Sequence, residues 1–221
     1  MAISFTEENY LKVIHRLSEA TSEEISTNAV AELMQTKAAS VTDMLRKLAE
    51  KGWVNYLKYQ GVRLSPTGEK IALSIVRKHR LWEVFLVDKM GFNWDEVHEI
   101  AEQLEHIESD DLVNKLDEYL GFPKTDPHGD PIPNKEGVLP ELAYSHLSDI
   151  KATKTCTLMG VAQDSAVFLQ LLTKLHLSLG AKLDIKEINE FDRSISVSIN
   201  DAEPIFISHE VAKNILVKIL A

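Results

Sequence analysis

The chain has 221 residues, of which 44% are hydrophobic and 26% are charged, a balance typical of a water-soluble globular protein. No apolar run reaches the roughly 18 residues that a membrane-spanning helix requires, so we expect no membrane partner. The first residues lack the basic stretch and apolar core of a signal peptide. The single cysteine, Cys156, excludes an internal disulfide and favours a cytoplasmic location.

Charge is distributed unevenly along the chain, whose formal net charge at pH 7 is −10. Residues 1–80 hold 12 basic and 9 acidic side chains, residues 81–150 hold 4 and 17, and residues 151–221 hold 8 of each. The overall acidity argues against unspecific nucleic-acid binding, but the first segment is itself basic. The acidic middle segment predicts either a solvated surface or a site for a hard cation.

The first segment predicts a winged helix-turn-helix. Apolar spacing indicates helices over residues 6–17 and 23–34, and a third helix that runs to about Glu50. A hairpin follows over residues 53–64, and Pro66 stands at the first position of the next helix. This order is typical of winged DNA-binding domains, although three-helix bundles and protein-interaction modules share it.

The third helix is the one that we expect in the major groove of double-stranded DNA. Thr36 is its expected N-cap, and the small residues that follow allow the start of the helix to approach the bases closely. Lysine and arginine side chains of the helix and hairpin supply donors for phosphates. The residues expected at the DNA are Thr36, Lys37, Ala39, Ser40, Thr42, Asp43, Arg46, Lys47, Lys58 and Arg63.

Two helices of the middle segment carry potential metal ligands. His79 and Glu83 are four residues apart and share one helix face. A second helix, predicted from about residue 93, places two imidazoles and two carboxylates on one arc: His98, Glu102, Glu105 and His106. This mixed nitrogen and oxygen set contains no thiolate, so it favours Mn²⁺ or Fe²⁺, with Zn²⁺ or Co²⁺ as substitutes in vitro.

The acidic arc leaves two other functions open. A metal-dependent hydrolase would need an open coordination position and a separate general base, and the sequence has no Gly-rich phosphate loop and no serine-nucleophile motif. A winged-helix interaction module would carry the same carboxylates only as a solvated face. We expect a protein that is not an enzyme.

A proline-rich stretch separates the helical part of the chain from a β part. Five of the seven prolines lie within residues 123–140, so a domain boundary is expected in or just after them. Beyond it, alternation over residues 194–199 predicts a half-buried strand. The third segment is expected to form a small barrel, with further strands over residues 151–158, 182–190 and 204–207 and helices over 165–175 and 209–220.

Four features together resemble the diphtheria toxin repressor family. They are the winged helix-turn-helix, R-K-H-R-L-W-E-V-F-L at residues 77–86, V-H-E-I-A-E-Q-L-E-H at 97–106 and D-P-H-G-D-P-I-P at 126–133. Members of this family are homodimeric regulators that bind operator DNA when they hold Fe²⁺ or Mn²⁺, and metal-uptake genes are their expected targets. The resemblance implies a mainly α fold with small β parts: a winged helix-turn-helix over residues 1–72, a helical dimerisation and metal-binding domain over 73–142, and an SH3-like β-barrel domain over 150–221.

The resemblance also implies an activating metal site. Glu102, Glu105 and His106 match its ligands, and a glutamate at position 102 is similar to the manganese-type members, whereas iron-type members have a cysteine there. The N-terminal ligand of the family falls on Asn9, whose amide oxygen can coordinate a hard cation without adding charge. Lys12 stands where short manganese regulators have a glutamate of a two-metal cluster, so no such cluster is expected.

A second metal site in this family joins the middle segment to the SH3-like domain. The resemblance to longer manganese-type members favours Glu83, Asp126, His128 and Asp164 as its ligands, with His79 and His98 as alternates. Asp126 and His128 would otherwise serve turn formation in the proline-rich loop. The SH3-like domain would lend Asp164 to this site, or it would only support the dimer.

Overall fold

The computed structural model describes residues 3–19, 21, 23–57 and 60–220. The helices are α1 Phe5–Glu19, α2 Thr27–Leu33, α3 Ala38–Glu50, α4 Pro66–Asp88, α5 His98–Leu104, α6 Asp110–Tyr119, α7 Ala166–Lys174 and α8 His209–Lys213. The strands are β1 Val54–Leu57, β2 Gly61–Leu64, β3 Ser145–His146, β4 Thr155–Val161, β5 Lys182–Ile188, β6 Ile195–Ile199, β7 Ile205–Ile207 and β8 Ile215–Ile219. Within these described ranges, no helix is both long and apolar enough to cross a membrane.

An N-terminal unit contains the residues up to His79 together with residues 102–114 and 133–138. Its first three helices and the β1–β2 hairpin form the predicted winged helix-turn-helix. The helices pack together because each has one apolar face, and their fully buried side chains include Leu11, Ile14, Leu45 and Leu48. This core leaves the opposite face of α1 available for polar contacts within the same unit.

The start of α2 differs from the prediction. The helix begins at Thr27 rather than near residue 23, because Ile25 pairs with Val62 of the hairpin through two backbone hydrogen bonds of 3.0 and 2.9 Å. The hydroxyl oxygen of Ser26 then caps the helix by accepting a backbone N–H of the first turn. The wing is therefore tied to the segment that precedes α2.

Other helix boundaries also differ from the sequence-based expectations. The N-cap of α3 is Lys37 and not Thr36, and it makes no side-chain capping bond. The helix expected from residue 93 begins only at His98 and ends at Leu104, and turns precede it. As a result, the arc of four ligands does not lie on one continuous helix. The following helix, α6, was not predicted from the sequence.

A C-terminal unit contains residues 80–101 and 115–132 and the chain from residue 139 onwards. In the described part of this unit, an antiparallel sheet runs in the order β3-β8-β4-β5-β6-β7. Phe168, Leu169 and Leu172 of α7 are buried in the same core as Leu158 and Leu183 of the sheet. This all-β domain with its packed helix confirms the predicted fold class.

The end of the chain contains a strand where a helix was predicted. α8 stops at Lys213, and β8 pairs with β4, so the helix prediction over residues 209–220 is wrong in its second half. Ile215 and Val217 are buried while Lys218 is exposed, which is the alternation of a strand. The strand predicted over residues 151–158 likewise begins only at Thr155.

We predict that Cys156 is unreactive in the folded protein. Its side chain is fully buried on β4, and burial, with a smaller effect of Asp184, raises the pKa of the Cys156 thiol to about 11. The thiol therefore stays protonated at neutral pH and gains reactivity only as the pH approaches that value. Labelling by a soluble disulfide reagent should be about a hundredfold slower in the native protein than in guanidinium chloride. Fast stoichiometric labelling of the native protein at neutral pH would contradict this prediction.

Candidate metal centres and DNA-binding surface

A cluster of three donor side chains lies in the N-terminal unit. His79 comes from α4, Glu102 from α5 and Glu105 from the turn after α5, and one donor atom of each lies within 4.8 Å of the others. His79 Nδ1 is 2.6 Å from Glu105 Oε2, and Glu105 has no solvent-exposed surface. The structure thus brings Glu102 and Glu105 together, and it adds His79, which the resemblance gave only as an alternate for the second site.

Lys12 of α1 supplies positive charge to this cluster. Its ammonium donates to both carboxylate oxygens of Glu105 at 2.7 Å and also to Glu102. Burial alone would raise the pKa of Glu105, but the neighbouring His79 and Lys12 outweigh it and hold that pKa below its ordinary value. Glu105 is therefore held as a buried anion by two groups from different helices.

His106 follows Glu105 in the chain but has partners of its own. Its Nδ1 lies 2.5 Å from Glu8 Oε2, and its ring stacks on Phe5 at a centroid distance of 4.5 Å. A carboxylate that holds one imidazole nitrogen leaves the other available, as is common for histidines that bind metals. Glu8 was missed by the sequence analysis; the available signal was its position on α1, one turn before Lys12.

The amide of Asn9 offers an acceptor that the protein itself does not use. Asn9 Oδ1 is buried and has no hydrogen-bond partner among the described residues. Buried polar atoms are nearly always paired, so an unpaired one at a predicted ligand position is consistent with a bound cation. The carboxylates of Glu102 and Glu105 and the imidazole of His79 form a donor set that fits a divalent cation such as Mn²⁺ or Fe²⁺, and an amide oxygen is a suitable further ligand for such an ion.

A second cluster of donors lies in the C-terminal unit. It consists of Glu83 from α4 and of Asp126 and His128 from the proline-rich loop, and all three side chains are buried. His128 Nδ1 is 3.7 Å from Glu83 Oε2 and 3.9 Å from Asp126 Oδ1. Its Nε2 is 2.8 Å from the carbonyl oxygen of Trp94, to which it donates, so that Nδ1 faces the carboxylates.

The charges of this second cluster are strongly perturbed. Burial and the neighbouring Glu83 and Asp130 carboxylates raise the pKa of Asp126 to about 7. Burial would lower the pKa of His128, but Glu83 and Asp126 outweigh it and raise that pKa to about 9. The guanidinium of Arg80 also lies near Asp126, with its Nε 3.6 Å from Asp126 Oδ2. A divalent cation would compete with these protons, because His128 and Asp126 bind metals in their deprotonated forms.

The loop that carries Asp126 and His128 is fixed by its own backbone and by β4. Asp126 Oδ1 accepts the backbone N–H groups of His128 and Asp130 at 2.8 and 3.0 Å. Gly129 has a φ of +92°, and a Cβ there would lie 2.3 Å from the Cα of Gly160. The loop therefore both makes a turn and places two donors, so the two roles considered for these residues are compatible.

Two further predicted ligands, His98 and Asp164, lie outside the three-donor cluster of Glu83, Asp126 and His128. His98 is half exposed, and its Nδ1 lies 3.5 Å from Glu83 Oε1. Asp164 is half-buried in the loop before α7, and no three-donor cluster among the described residues includes it. Their assignment as ligands stays a prediction.

Most of the predicted DNA-binding residues are exposed in the winged helix-turn-helix. Side chains that are exposed on or before α3 are Thr36, Lys37, Ala39, Ser40, Asp43, Arg46 and Lys47. Thr42 is half-buried, and its hydroxyl donates to the carbonyl of Ala38. Arg63 of β2 is exposed and pairs with Glu24 at 2.9 Å, whereas Lys58 lies outside the described residues.

A cleft of about 320 Å³ extends this surface. It lies between the start of α2, α3 and the hairpin, and its lining includes Ser26, Asn28, Thr42, Tyr56 and Gln60. Hydroxyl, amide and phenol groups of this kind commonly donate to phosphates or base edges. The lining of this cleft therefore offers several hydrogen-bonding groups.

Comparison with known proteins divides the chain into a DNA-binding part, a metal-binding and dimerisation part and a C-terminal domain. Three family models match consecutive parts of the chain: "Iron dependent repressor, N-terminal DNA binding domain" over residues 3–62, "Iron dependent repressor, metal binding and dimerisation domain" over 65–134 and "FeoA domain" over 145–219. The iron-dependent repressor IdeR of Mycobacterium tuberculosis is 33% identical over 151 residues, which are 67% of this chain and 65% of that protein. This match therefore spans slightly less than two thirds of the length of that curated relative.

Solved structures match over nearly the whole chain. A manganese-dependent transcriptional repressor in complex with manganese has a TM-score of 0.83 and 36% identity, covering 97% of this chain and 100% of that one. ScaR with bound Zn²⁺ has a TM-score of 0.74 and 33% identity, covering 96% of this chain and 98% of that one.

Fold and sites together define a winged-helix protein with a helical metal-site region and a C-terminal β domain. The chain belongs to the family of iron- and manganese-dependent repressors that includes the diphtheria toxin repressor.

We predict that Gly129→Ala destabilises the C-terminal unit. The new Cβ would clash with the backbone of β4, and the positive φ would add strain. Gly121→Ala is the matched control, since Gly121 also has a positive φ but nothing lies within 4 Å of its Cβ position. The loss of unfolding free energy should be larger at Gly129 by about 2 kcal/mol, measured by urea denaturation. Equal losses in the two variants would contradict the packing role of Gly129.

Proposed function

We propose that the protein is a transcriptional repressor that binds operator DNA as a homodimer when it holds Mn²⁺ or Fe²⁺, and that it acts in the cytoplasm on metal-uptake genes. The three-domain division over residues 1–72, 73–142 and 150–221 is part of this proposal. The names of the relatives, which describe iron- and manganese-dependent repressors, support it. The family model named for dimerisation supports the homodimer.

One observation carries the proposal: α1 belongs to the DNA-binding domain and to the first donor cluster at the same time. Leu11 and Ile14 of α1 are buried in the winged-helix core. On the other side of the helix, Lys12 contacts Glu102 and Glu105, and Glu8 contacts His106. A change in the charge held by the cluster therefore acts directly on the helix that supports α3.

In this proposal Glu102, Glu105 and His106 hold the activating ion, with His79 and Asn9 as additional ligands from the same unit. The bound ion would supply two positive charges that neutralise the adjacent carboxylates. Glu8 would orient the imidazole of His106 through Nδ1. These contacts join α1 to α4 and to the segment after α5, so they fix the orientation of the winged helix.

A second ion would be held by Glu83, Asp126 and His128, with Asp164 and His98 as candidate further ligands. The first three residues are supported by their burial and their mutual distances. The carbonyl of Trp94 and the backbone N–H groups of the loop orient His128 and Asp126. This site lies wholly within the C-terminal unit, so we propose that it stabilises that unit and supports the dimer.

We predict that Glu105→Gln weakens metal-dependent DNA binding at least tenfold. The substitution keeps the shape of the side chain but removes the buried charge that the ion would neutralise. Fluorescence anisotropy of a labelled duplex from the upstream region of the gene, titrated with Mn²⁺ after chelation, should show at least a tenfold weaker midpoint, about the loss expected for a damaged ligand shell.

The matched control is Glu108→Gln, because Glu108 is exposed in the segment just beyond the cluster. It should bind DNA as the wild type does, and a thermal melt in chelator should show that both variants are folded. Glu102→Gln, a less buried position, is a second test if Glu105→Gln does not fold. Wild-type metal dependence in both cluster variants would refute the proposed activating site.

The DNA-binding surface generates a separate prediction. Lys47→Ala removes an exposed cation of α3, so it should weaken binding about equally for operator and scrambled duplexes and reduce the salt dependence by about one counterion. Lys70→Ala, an exposed lysine of α4, is the control and should change neither quantity. An unchanged salt slope in Lys47→Ala would exclude a phosphate contact at this residue.

A further inference from the structure

The ammonium of Lys12 takes up the carboxylate oxygens of the proposed activating site. It is bonded to both oxygens of Glu105 at 2.7 Å and to one oxygen of Glu102. The Lys12 side chain is only 16% exposed, and Glu105 is not exposed at all. Three of the four carboxylate oxygens in the pair are thus used by one internal cation.

This arrangement solves an electrostatic problem that two neighbouring carboxylates create. A buried anion without a counter-charge is strongly destabilising, and Glu105 has Glu102 close by. Lys12 supplies one positive charge against two negative ones, with His79 as the remaining neighbour of Glu105. The cluster is therefore stable without metal but keeps an excess of acceptor oxygens.

An ammonium and a divalent ion share the same carboxylate oxygens only at a high electrostatic cost. An ammonium and a divalent ion that share three oxygens would lie within a few ångströms of each other, where like charges repel strongly in a region of low solvent access. The ammonium also uses one lone pair on each of three oxygens, which leaves fewer acceptor sites for a metal ion. Binding of an ion by Glu102 and Glu105 therefore requires that Lys12 withdraw from them.

We propose that Lys12 is a tethered competitor of the activating ion: its ammonium neutralises Glu102 and Glu105 in the metal-free protein and must leave their oxygens before the ion binds, so that it sets the metal concentration at which the site fills. This inference rests on the proposed function, because it concerns the same site. It assigns to Lys12 an affinity-setting role rather than a role as ligand.

Competition at this position also links metal binding to the winged helix. Lys12 projects from α1, whose apolar face is part of the winged-helix core. When the ammonium withdraws, α1 loses its ion pairs to the cluster, while the contact between Glu8 and His106 remains on the same helix. In the metal-bound form, the Glu8–His106 contact and the proposed ligand Asn9 would therefore attach α1 to the cluster in place of Lys12.

Lys12→Met tests this role, because methionine has a similar length and no charge. In the full-length protein we expect a lower melting temperature in chelator, since Glu105 loses its counter-charge. We also expect a Kd for Mn²⁺ that is lower by about tenfold or more in a chelator-competition titration, since the competitor is gone. The Mn²⁺ concentration that half-saturates the DNA-binding signal should fall in parallel.

Lys51→Met is the matched control. Lys51, which follows α3, pairs with Glu7 of α1 at 2.5 Å, and its side chain is 23% exposed, close to the value for Lys12. Its removal should lower the melting temperature but leave the Kd for Mn²⁺ unchanged. Lys12→Gln, which can still donate a hydrogen bond to one carboxylate, provides the same test if Lys12→Met does not fold, and it should also bind Mn²⁺ more tightly.

The outcomes separate this inference from the proposed function. An unchanged or weaker Mn²⁺ affinity in Lys12→Met and Lys12→Gln, with metal-dependent DNA binding intact in the wild type, overturns only the competitor role. Equal tightening in Lys51→Met overturns it as well, because the effect would then follow from removing any lysine that pairs with a carboxylate of α1. Absence of Mn²⁺-dependent DNA binding in the wild type overturns both proposals.

Discussion

The N-terminal unit depends on one constraint: a carboxylate with no solvent exposure, Glu105, must have a positive partner. The free energy of leaving a buried charge unpaired is several kcal/mol, about as large as the whole stability of a small domain. Lys12 of α1 and His79 of α4 meet this need, and both contact Glu105 directly. The helix that carries the winged domain is thus held in place by a charge balance as well as by its apolar core.

The buried carboxylates of the two donor clusters have different positive partners. The first has a lysine that reaches its carboxylates at hydrogen-bonding distance, whereas the guanidinium of Arg80 stays 3.6 Å from Asp126 in the second. Accordingly, the pKa of Glu105 is lowered and the pKa of Asp126 is raised. In the first cluster Lys12 and His79 stabilise the ionised form of Glu105, whereas in the second burial and the neighbouring carboxylates stabilise the protonated form of Asp126.

Local patterns in the sequence predicted the winged helix, α4 and the strand over residues 195–199, because each has a clear apolar period. The local patterns failed where contacts between distant residues determine the secondary structure. Ile25 lies outside the helix that was predicted for it because it pairs with the hairpin. Residues 215–219 form a strand because they pair with β4. The same holds for the candidate site. Donor types and spacing identified Glu102 and Glu105, but the partners of His79 and the ion pairs of Lys12 arise only when separate helices come together.

The contact between the proline-rich loop and β4 limits which segments of this protein can be exchanged with those of a relative. Gly129 and Gly160 meet backbone to backbone, so neither position has room for a side chain unless the other chain segment moves. The loop and the C-terminal domain must therefore be treated as one exchangeable module. A chimera that took the domain from a relative but kept this loop would join two surfaces that were shaped separately, and His128 and Asp126 would lose the support that holds them beside Glu83.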